Sequence, residues 1–91
     1  MKLEEYREKI DAVDEKLVAL FAERMELSRA IAEYKKENGL PVLDASREKE
    51  KLKSAAEQSP AELREYTRRL YTLLIELSRD YQRELIGKER G

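Results

Sequence analysis

The stretch ALFAERMELSRAIAEYKK at residues 19–36 carries one charged residue where its apolar pattern requires an apolar one. Between Leu20 and Leu27, the pattern places Arg24 on the apolar side. Apolar residues recur at three- and four-residue steps, the spacing of one face of a helix. They are Leu3, Tyr6, Ile10, Val13, Leu17, Leu20, Leu27, Ile31 and Tyr34. This pattern predicts one long helix and marks Arg24 as a candidate functional residue.

Local signals place the ends of three helices. Asn38-Gly39 is typical of a helix C-terminus, and Asp44 is a favoured N-cap. Ser59, with a proline next and Glu62 three residues on, predicts a capping box at the start of the last helix. The predicted helices span about residues 2–37, 44–57 and 60–86. The predicted fold class is therefore all-α, one domain over residues 1–91 with a long, a short and a long helix.

The lengths of the two long helices favour a second copy of the chain. A 36-residue helix is about 54 Å long, and the 26-residue helix 3 is about 39 Å long. Helix 3 therefore cannot cover the whole apolar side of helix 1. Its own apolar side is predicted to comprise Leu63, Tyr66, Leu70, Leu73, Leu74, Leu77, Tyr81 and Leu85. We expect an intertwined helical-bundle homodimer; the alternative is an extended antiparallel coiled-coil hairpin.

Composition excludes several kinds of site. The chain has no cysteine and no histidine, so a zinc site, a disulfide framework and a Ser-His-Asp triad are all excluded. Its formal net charge is −1, which gives no global attraction to nucleic acid or to an anionic membrane. The charged start, MKLEEYREK, is unlike a signal peptide. We expect a cytoplasmic protein with no nucleic-acid or membrane partner.

Further polar residues accompany Arg24 on the predicted inner faces. Lys35 lies eleven residues after Arg24, which returns it to nearly the same side of the helix at an axial distance of about 16 Å. Ser78 and Gln82, four apart, share one face of helix 3, and Glu48 lies on the inner face of helix 2. Each alone is explained by an ordinary solvated or paired side chain. Together they favour a positively charged cavity for a small anion.

These residues carry a resemblance to a known family. The segments are Y-R-E-K-I-D-A-V-D-E-K-L at residues 6–17, A-E-R-M-E-L at 22–27, Tyr34-Lys35, P-V-L-D-A-S-R-E-K-E at 41–50, and Ser78 with Gln82. The chain resembles the all-helical (AroQ-type) chorismate mutases over nearly its whole length. The family's pattern falls on Arg7, Arg24, Lys35, Asp44, Arg47, Glu48, Ser78 and Gln82.

The resemblance implies the rearrangement of chorismate to prephenate, on the route to phenylalanine and tyrosine. This intramolecular [3,3] shift requires no metal or cofactor. A protein assists it by holding the reactive shape of the substrate and by fixed charges. By similarity, Arg24 and Ser78 bind one carboxylate. Lys35 binds the other carboxylate and the ether oxygen.

The other roles are also carried over by similarity. Gln82 donates to the ether oxygen, and Arg47 lies beside the side-chain carboxylate. Glu48 and the backbone near Asp44 bind the ring hydroxyl. Arg7 closes the site from the other subunit. With no dehydratase or regulatory domain following, we expect a stand-alone enzyme.

Two alternatives remain open at this point. An isochorismate pyruvate lyase shares this fold and most of the cations, although Glu48 favours the mutase. A non-catalytic dimeric helical interaction module is the alternative from a different class. Activity assays on both substrates distinguish the three.

Overall fold

The computed structural model describes residues 2–90, with side chains described through residue 87. The α-helices are α1 (Lys2–Glu37), α2 (Ala45–Gln58) and α3 (Arg64–Arg90), with a 3-10 turn at Ala61–Leu63 before α3. No strand occurs among residues 2–90. The predicted all-α class and the order long, short, long are therefore confirmed.

The end of α1 follows from a single glycine. Gly39 has a φ of +64°, a conformation that glycine adopts at little cost. The backbone N–H of Leu40 donates to the Lys35 carbonyl at 2.8 Å, and that of Gly39 donates to the Lys36 carbonyl at 3.4 Å. This pair of bonds is a Schellman motif. It folds the chain back over the last turn of α1, beside Lys35.

The predicted capping box at Ser59 is wrong. Ser59 instead forms the C-cap of α2, and no side chain caps the 3-10 turn, whose N-cap residue is Pro60. The Ser59 hydroxyl is hydrogen-bonded to the Ala55 carbonyl oxygen and to the Thr67 hydroxyl. The local signal therefore marks the junction correctly, but a tertiary contact with α3 takes the side chain.

The chain runs up, down and up again. Arg24 bonds to Ser78 and Arg29 bonds to Tyr81, so residue numbers rise together and α1 is parallel to α3. Glu48 meets Arg79, whereas Ser59 at the other end of α2 meets Thr67, so α2 is antiparallel to α3. This path differs from an antiparallel hairpin of the two long helices.

The buried core is small and lies beside the predicted apolar pattern. Its apolar members are Ala32, Ala55, Ala56 and Ile75, and Ser28 and Gln82 are its polar members. Ser28 and Ala32 are small, which lets α1 and α3 approach closely.

Residues that the sequence assigned to packing are exposed. Within the single chain, Leu20, Leu27 and Ile31 of the predicted apolar side of α1 are 60%, 60% and 47% exposed, so their packing in a bundle of two copies stays a prediction. Leu63 of the 3-10 turn and Tyr66, Leu70 and Leu73 of α3 are exposed as well.

The molecule is long and thin. Its radius of gyration is 16.5 Å and its extents are 55 × 27 × 15 Å, whereas a compact chain of this length has a radius of gyration of about 12 Å. Residues 2–23 of α1 are all exposed. Within residues 2–90, none of the helices combines the length and apolar character needed to cross a membrane.

Candidate functional site

A cavity of about 370 Å³ lies between the second half of α1, the start of α2 and the second half of α3. Seven of the eight predicted site residues line it, namely Arg24, Lys35, Asp44, Arg47, Glu48, Ser78 and Gln82. Three separate segments of the chain supply them. The predicted constellation is therefore assembled in one place.

Arg24 crosses from α1 to α3 inside the cavity. Its Nη1 donates to the Ser78 hydroxyl at 3.1 Å and to the Leu74 carbonyl at 3.3 Å. Both contacts fix the direction of the guanidinium without neutralising it, because each acceptor is uncharged. A fixed, unneutralised guanidinium is suited to bind a carboxylate through two parallel hydrogen bonds.

Ser28 completes a closed hydrogen-bonded ring beneath Arg24. Its hydroxyl donates to the Arg24 carbonyl at 3.1 Å and is also hydrogen-bonded to the Ser78 hydroxyl. Since the Ser28 proton is directed to the carbonyl, the Ser78 proton is the one shared with Ser28. Ser28 is only 4% exposed, and the ring holds the head of Arg24 to its own helix.

Lys35 sits at the end of the cavity beneath the turn that follows α1. Its Nζ donates to the Val42 carbonyl at 2.7 Å, and its side chain is half-buried. An ammonium group has three donors, so one bond to Val42 leaves two for a ligand. The Schellman motif places Val42 over Lys35, and so the turn positions this cation.

Gln82 is buried, at 7% exposure, and its amide oxygen Oε1 has no hydrogen-bond partner among the described residues. A buried amide group that lacks a partner costs free energy. Gln82 also lines the cavity, so its amide group is within reach of a ligand bound there.

The α2 side of the cavity carries both carboxylates. Asp44 Oδ1 accepts from the Arg47 backbone N–H at 3.1 Å, so this carboxylate caps α2. The Asp44 carbonyl accepts from the Glu48 N–H at 3.0 Å. Glu48 Oε2 lies 3.4 Å from Arg79 Nε, which ties the start of α2 to α3.

Arg7 is absent from this cavity. It is exposed and forms an ion pair with Glu4 at 3.1 Å. Seventeen residues of helix separate Arg7 from Arg24, a distance of about 26 Å. Within a single chain, Arg7 therefore cannot contribute to the site that contains Arg24.

The structure adds residues that the sequence did not single out. Ser28, Lys51 and Arg79 line the cavity, together with apolar walls from Leu27, Ile31, Val42 and Ile75. Ser28 lies one turn after Arg24, and Arg79 directly follows Ser78, so both could have been found by extending each predicted face by one position. The described lining includes five cations and two carboxylates, which makes the cavity strongly attractive to a dianion.

One more contact clamps α1 to α3 outside the cavity. Arg29 Nη2 donates to the Tyr81 hydroxyl at 2.9 Å, and the guanidinium also lies over the Tyr81 ring at 5.8 Å from its centroid. The hydrogen bond to Tyr81 raises the pKa of Arg29. This arginine therefore remains cationic and joins α1 to α3 as a half-buried contact beside the site.

Comparison with known proteins points to one family. The family described as chorismate mutase type II matches residues 6–83. A chorismate mutase of Methanocaldococcus jannaschii is 48% identical over 48 residues, which cover 53% of this chain and 48% of the relative. The chain therefore spans about half the length of this curated relative.

Two longer relatives match more of the chain. A bifunctional chorismate mutase/prephenate dehydratase of Escherichia coli is 42% identical over 72 residues, covering 77% of this chain and 19% of the relative. One of the same description from Buchnera aphidicola is 36% identical over 86 residues, covering 91% of this chain and 22% of the relative. The resemblance stated from the sequence is confirmed: the chain belongs to the chorismate mutase type II family.

Proposed function

We propose that this protein catalyses the rearrangement of chorismate to prephenate, in a site completed by a second copy of the chain. The observation that carries the proposal is the single cavity that gathers Arg24, Lys35, Glu48, Ser78 and Gln82 from three helices. Chorismate is a small dianion with a ring hydroxyl and an ether oxygen. The cavity offers cations, a carboxylate and a neutral amide to match these groups.

The reaction sets what the site must do. One C–O bond breaks as one C–C bond forms in the same molecule, and no proton leaves or enters. Catalysis therefore comes from holding the compact, reactive shape and from donors aimed at the ether oxygen, which becomes more negative in the transition state. Both tasks need rigid side chains.

The carboxylates are held at opposite ends of the cavity. Arg24, fixed by Ser78 and Ser28, binds one carboxylate. Lys35, about 16 Å further along α1 by helix rise, reaches towards the other with side-chain carbons that span part of this distance. Arg47 reinforces the second contact from the start of α2. Two cations this far apart favour a dianion whose two carboxylates are held apart from each other.

The remaining groups act on the oxygens between the carboxylates. Gln82 turns its amide N–H towards the ether oxygen and, with Lys35, stabilises the charge that develops there. Glu48 accepts a hydrogen bond from the ring hydroxyl, aided by the backbone near Asp44. Because Gln82 is neutral, its donor is present at every ordinary pH.

The surface of the chain supports the proposal of a second copy. Its accessible surface is 7507 Å², whereas a compact monomer of 10.7 kDa has about 5,500 Å². Apolar side chains of α1 contribute to this surface, and Ile10, Val13 and Leu17 are 57%, 54% and 54% exposed. A homodimer that pairs the two α1 helices covers them.

The same dimer supplies Arg7. Arg7 and Arg24 are about 26 Å apart along one α1, so an antiparallel pair of α1 helices centred midway between these two positions would bring the partner's Arg7 level with this chain's Arg24. Each dimer then has two sites, and each site takes residues from both chains.

The proposal is tested with purified protein and chorismate, without added metal or cofactor. Loss of chorismate with formation of prephenate is the expected result. The matched control is Arg24→Ala protein purified by the same procedure. If this variant is inactive, the activity of the wild type does not come from a contaminating enzyme. Formation of salicylate and pyruvate from isochorismate as the dominant reaction assigns the lyase instead. No turnover of either substrate by a folded dimer supports the non-catalytic module.

A further inference from the structure

Arg79 is a cation of the cavity that has no role in the mechanism above. It lies on α3 directly after Ser78 and lines the cavity opposite the start of α2. Its Nε is 3.4 Å from Glu48 Oε2, and the two side chains are only 29% and 23% exposed. By comparison, the ion pairs Arg7–Glu4, Arg29–Glu26, Arg68–Glu65 and Arg69–Glu65 each lie within one helix and are more exposed.

The contact is an ion pair whose hydrogen bond is not yet made. Arg79 Nε is buried and has no hydrogen-bond partner within residues 2–87, although Glu48 Oε2 is close enough for attraction. A buried N–H without a partner is costly, and a small rotation of the carboxylate would satisfy it. A ligand that reorients the Glu48 carboxylate would therefore complete its hydrogen bond with Arg79 Nε.

A carboxylate in this cavity creates an electrostatic problem. Glu48 shares the cavity with the binding region for a dianion, and like charges at close range repel strongly in a partly buried site. Arg24 and Lys35 face the ligand and are neutralised by it, so neither compensates Glu48 once the site is full. Arg79 faces Glu48 itself and remains available to it.

We propose that Arg79 is a positioning residue that holds and neutralises Glu48, so that its carboxylate can accept a hydrogen bond from a hydroxyl group of a dianionic substrate. The inference rests on the proposed function and assigns this pair to recognition of the substrate hydroxyl. Arg79 acts through Oε2, and Oε1 serves the substrate. It touches no reacting atom.

The test is a double-mutant cycle on turnover of chorismate, using Arg79→Met, Glu48→Gln and the double variant. Methionine keeps most of the length of the side chain and removes its charge. We expect Arg79→Met to raise KM about tenfold with a smaller change in kcat. Without Arg79, Glu48 is no longer held for its hydrogen bond with the substrate hydroxyl, a contact made already in the ground state. In the Glu48→Gln background, the same change should alter KM less than about twofold, because a neutral amide needs no cation.

Two controls separate positioning from the general field and from folding. Lys51→Met removes another cation from the cavity lining, so an equal rise in KM would show that only net charge matters and would overturn the proposal. Arg79→Lys restores the charge and should recover most of the affinity lost in Arg79→Met. An equal loss in the Glu48 and Glu48→Gln backgrounds would also overturn it.

Thermal stability, measured without substrate, tests the Arg79–Glu48 ion pair independently of the proposed function. The Tm of the four proteins is compared at equal concentration, and Arg79→Met should lower Tm more when Glu48 is present than in the Glu48→Gln background. No such difference overturns the Arg79–Glu48 pairing whatever the activity. A coupled Tm in a wild-type protein that does not convert chorismate refutes the proposed function and the substrate role of the pair, but not the ion pair.

Discussion

The two halves of α1 have the same kind of sequence but opposite surroundings. Residues 2–23 are exposed along their whole length, including the apolar positions Ile10 and Leu17. The second half packs on α3 through Ser28 and Ala32, which are 4% and 2% exposed. In the first half the apolar side chains lie uncovered, whereas the second half packs through small side chains and contributes Arg24 and Lys35 to the cavity. The chain therefore uses its own helix contacts to build the cavity and leaves the apolar side chains of residues 2–23 uncovered.

A charge introduced into the exposed half of α1 should have the largest effect, on both the dimer and its activity. Leu17→Glu places a charge in the proposed dimer interface, where burial of an unpaired carboxylate is strongly unfavourable. We expect the dimer to dissociate at micromolar concentration and activity to be lost with it. Analytical ultracentrifugation measures the mass. Lys16→Glu, at the neighbouring exposed position, is the matched control and should remain dimeric; a dimeric and active Leu17→Glu protein would contradict the interface.

A substitution in the packed half of α1 should abolish catalytic activity without dissociating the dimer. Arg24→Ala removes the guanidinium that is fixed by Ser78 and Leu74. We expect kcat/KM to fall at least a hundredfold, equivalent to about 3 kcal/mol for a lost charged hydrogen bond. Circular dichroism and sedimentation should be unchanged. Arg83→Ala, on an exposed position of α3, is the control, and a similar loss there would point to a general charge effect.

Gln82→Glu tests whether the buried amide is a donor. A carboxyl group donates only when protonated, and an unperturbed glutamate has a pKa of about 4.3. Burial raises this value because it disfavours the charged form. We expect kcat/KM to be low at neutral pH and to rise as the pH falls, whereas that of the wild type changes little. Gln82→Leu should be poor at every pH, and an identical profile for the two variants would exclude a donor role.

The smallest effect concerns the turn that positions Lys35. Gly39→Ala should destabilise the protein by about 1 kcal/mol, because alanine disfavours a φ of +64°. An added Cβ meets nothing within 4 Å at either Gly39 or Gly87, so neither change introduces a clash. Gly87→Ala, inside α3, should instead be neutral or stabilising by up to about 1 kcal/mol. Urea unfolding midpoints measure both, and equal shifts would contradict the conformational argument.

Features of the fold and of the candidate site were predictable from the sequence where their signal depends on a single helix or turn. The end of α1 was predicted correctly, because Asn38-Gly39 acts through backbone conformation alone. Arg24 and Lys35 were found because helix periodicity places them on one side without knowledge of other helices. Each of these predictions used a single element of structure.

The features that were missed depend on how helices meet. Ser59 left its predicted cap to bond with Thr67 on α3. Ser28 and Arg79 are ordinary helical residues until α3 and α2 lie against them. Leu20 and Leu27 satisfied the periodicity, yet α3 packs on the adjacent side of α1. Periodicity identifies an apolar face but not which neighbour covers it.

The most direct test of the central claim is subunit complementation. Arg7→Ala and Arg24→Ala proteins are mixed after each is shown to be dimeric and inactive, and exchange of subunits is demonstrated by mass. If the partner's Arg7 completes the cavity that contains Arg24, each heterodimer regains one intact site. A random mixture is half heterodimer, so activity should recover to about a quarter of the wild-type level. Demonstrated exchange with no recovery of activity would contradict a site shared between the two chains.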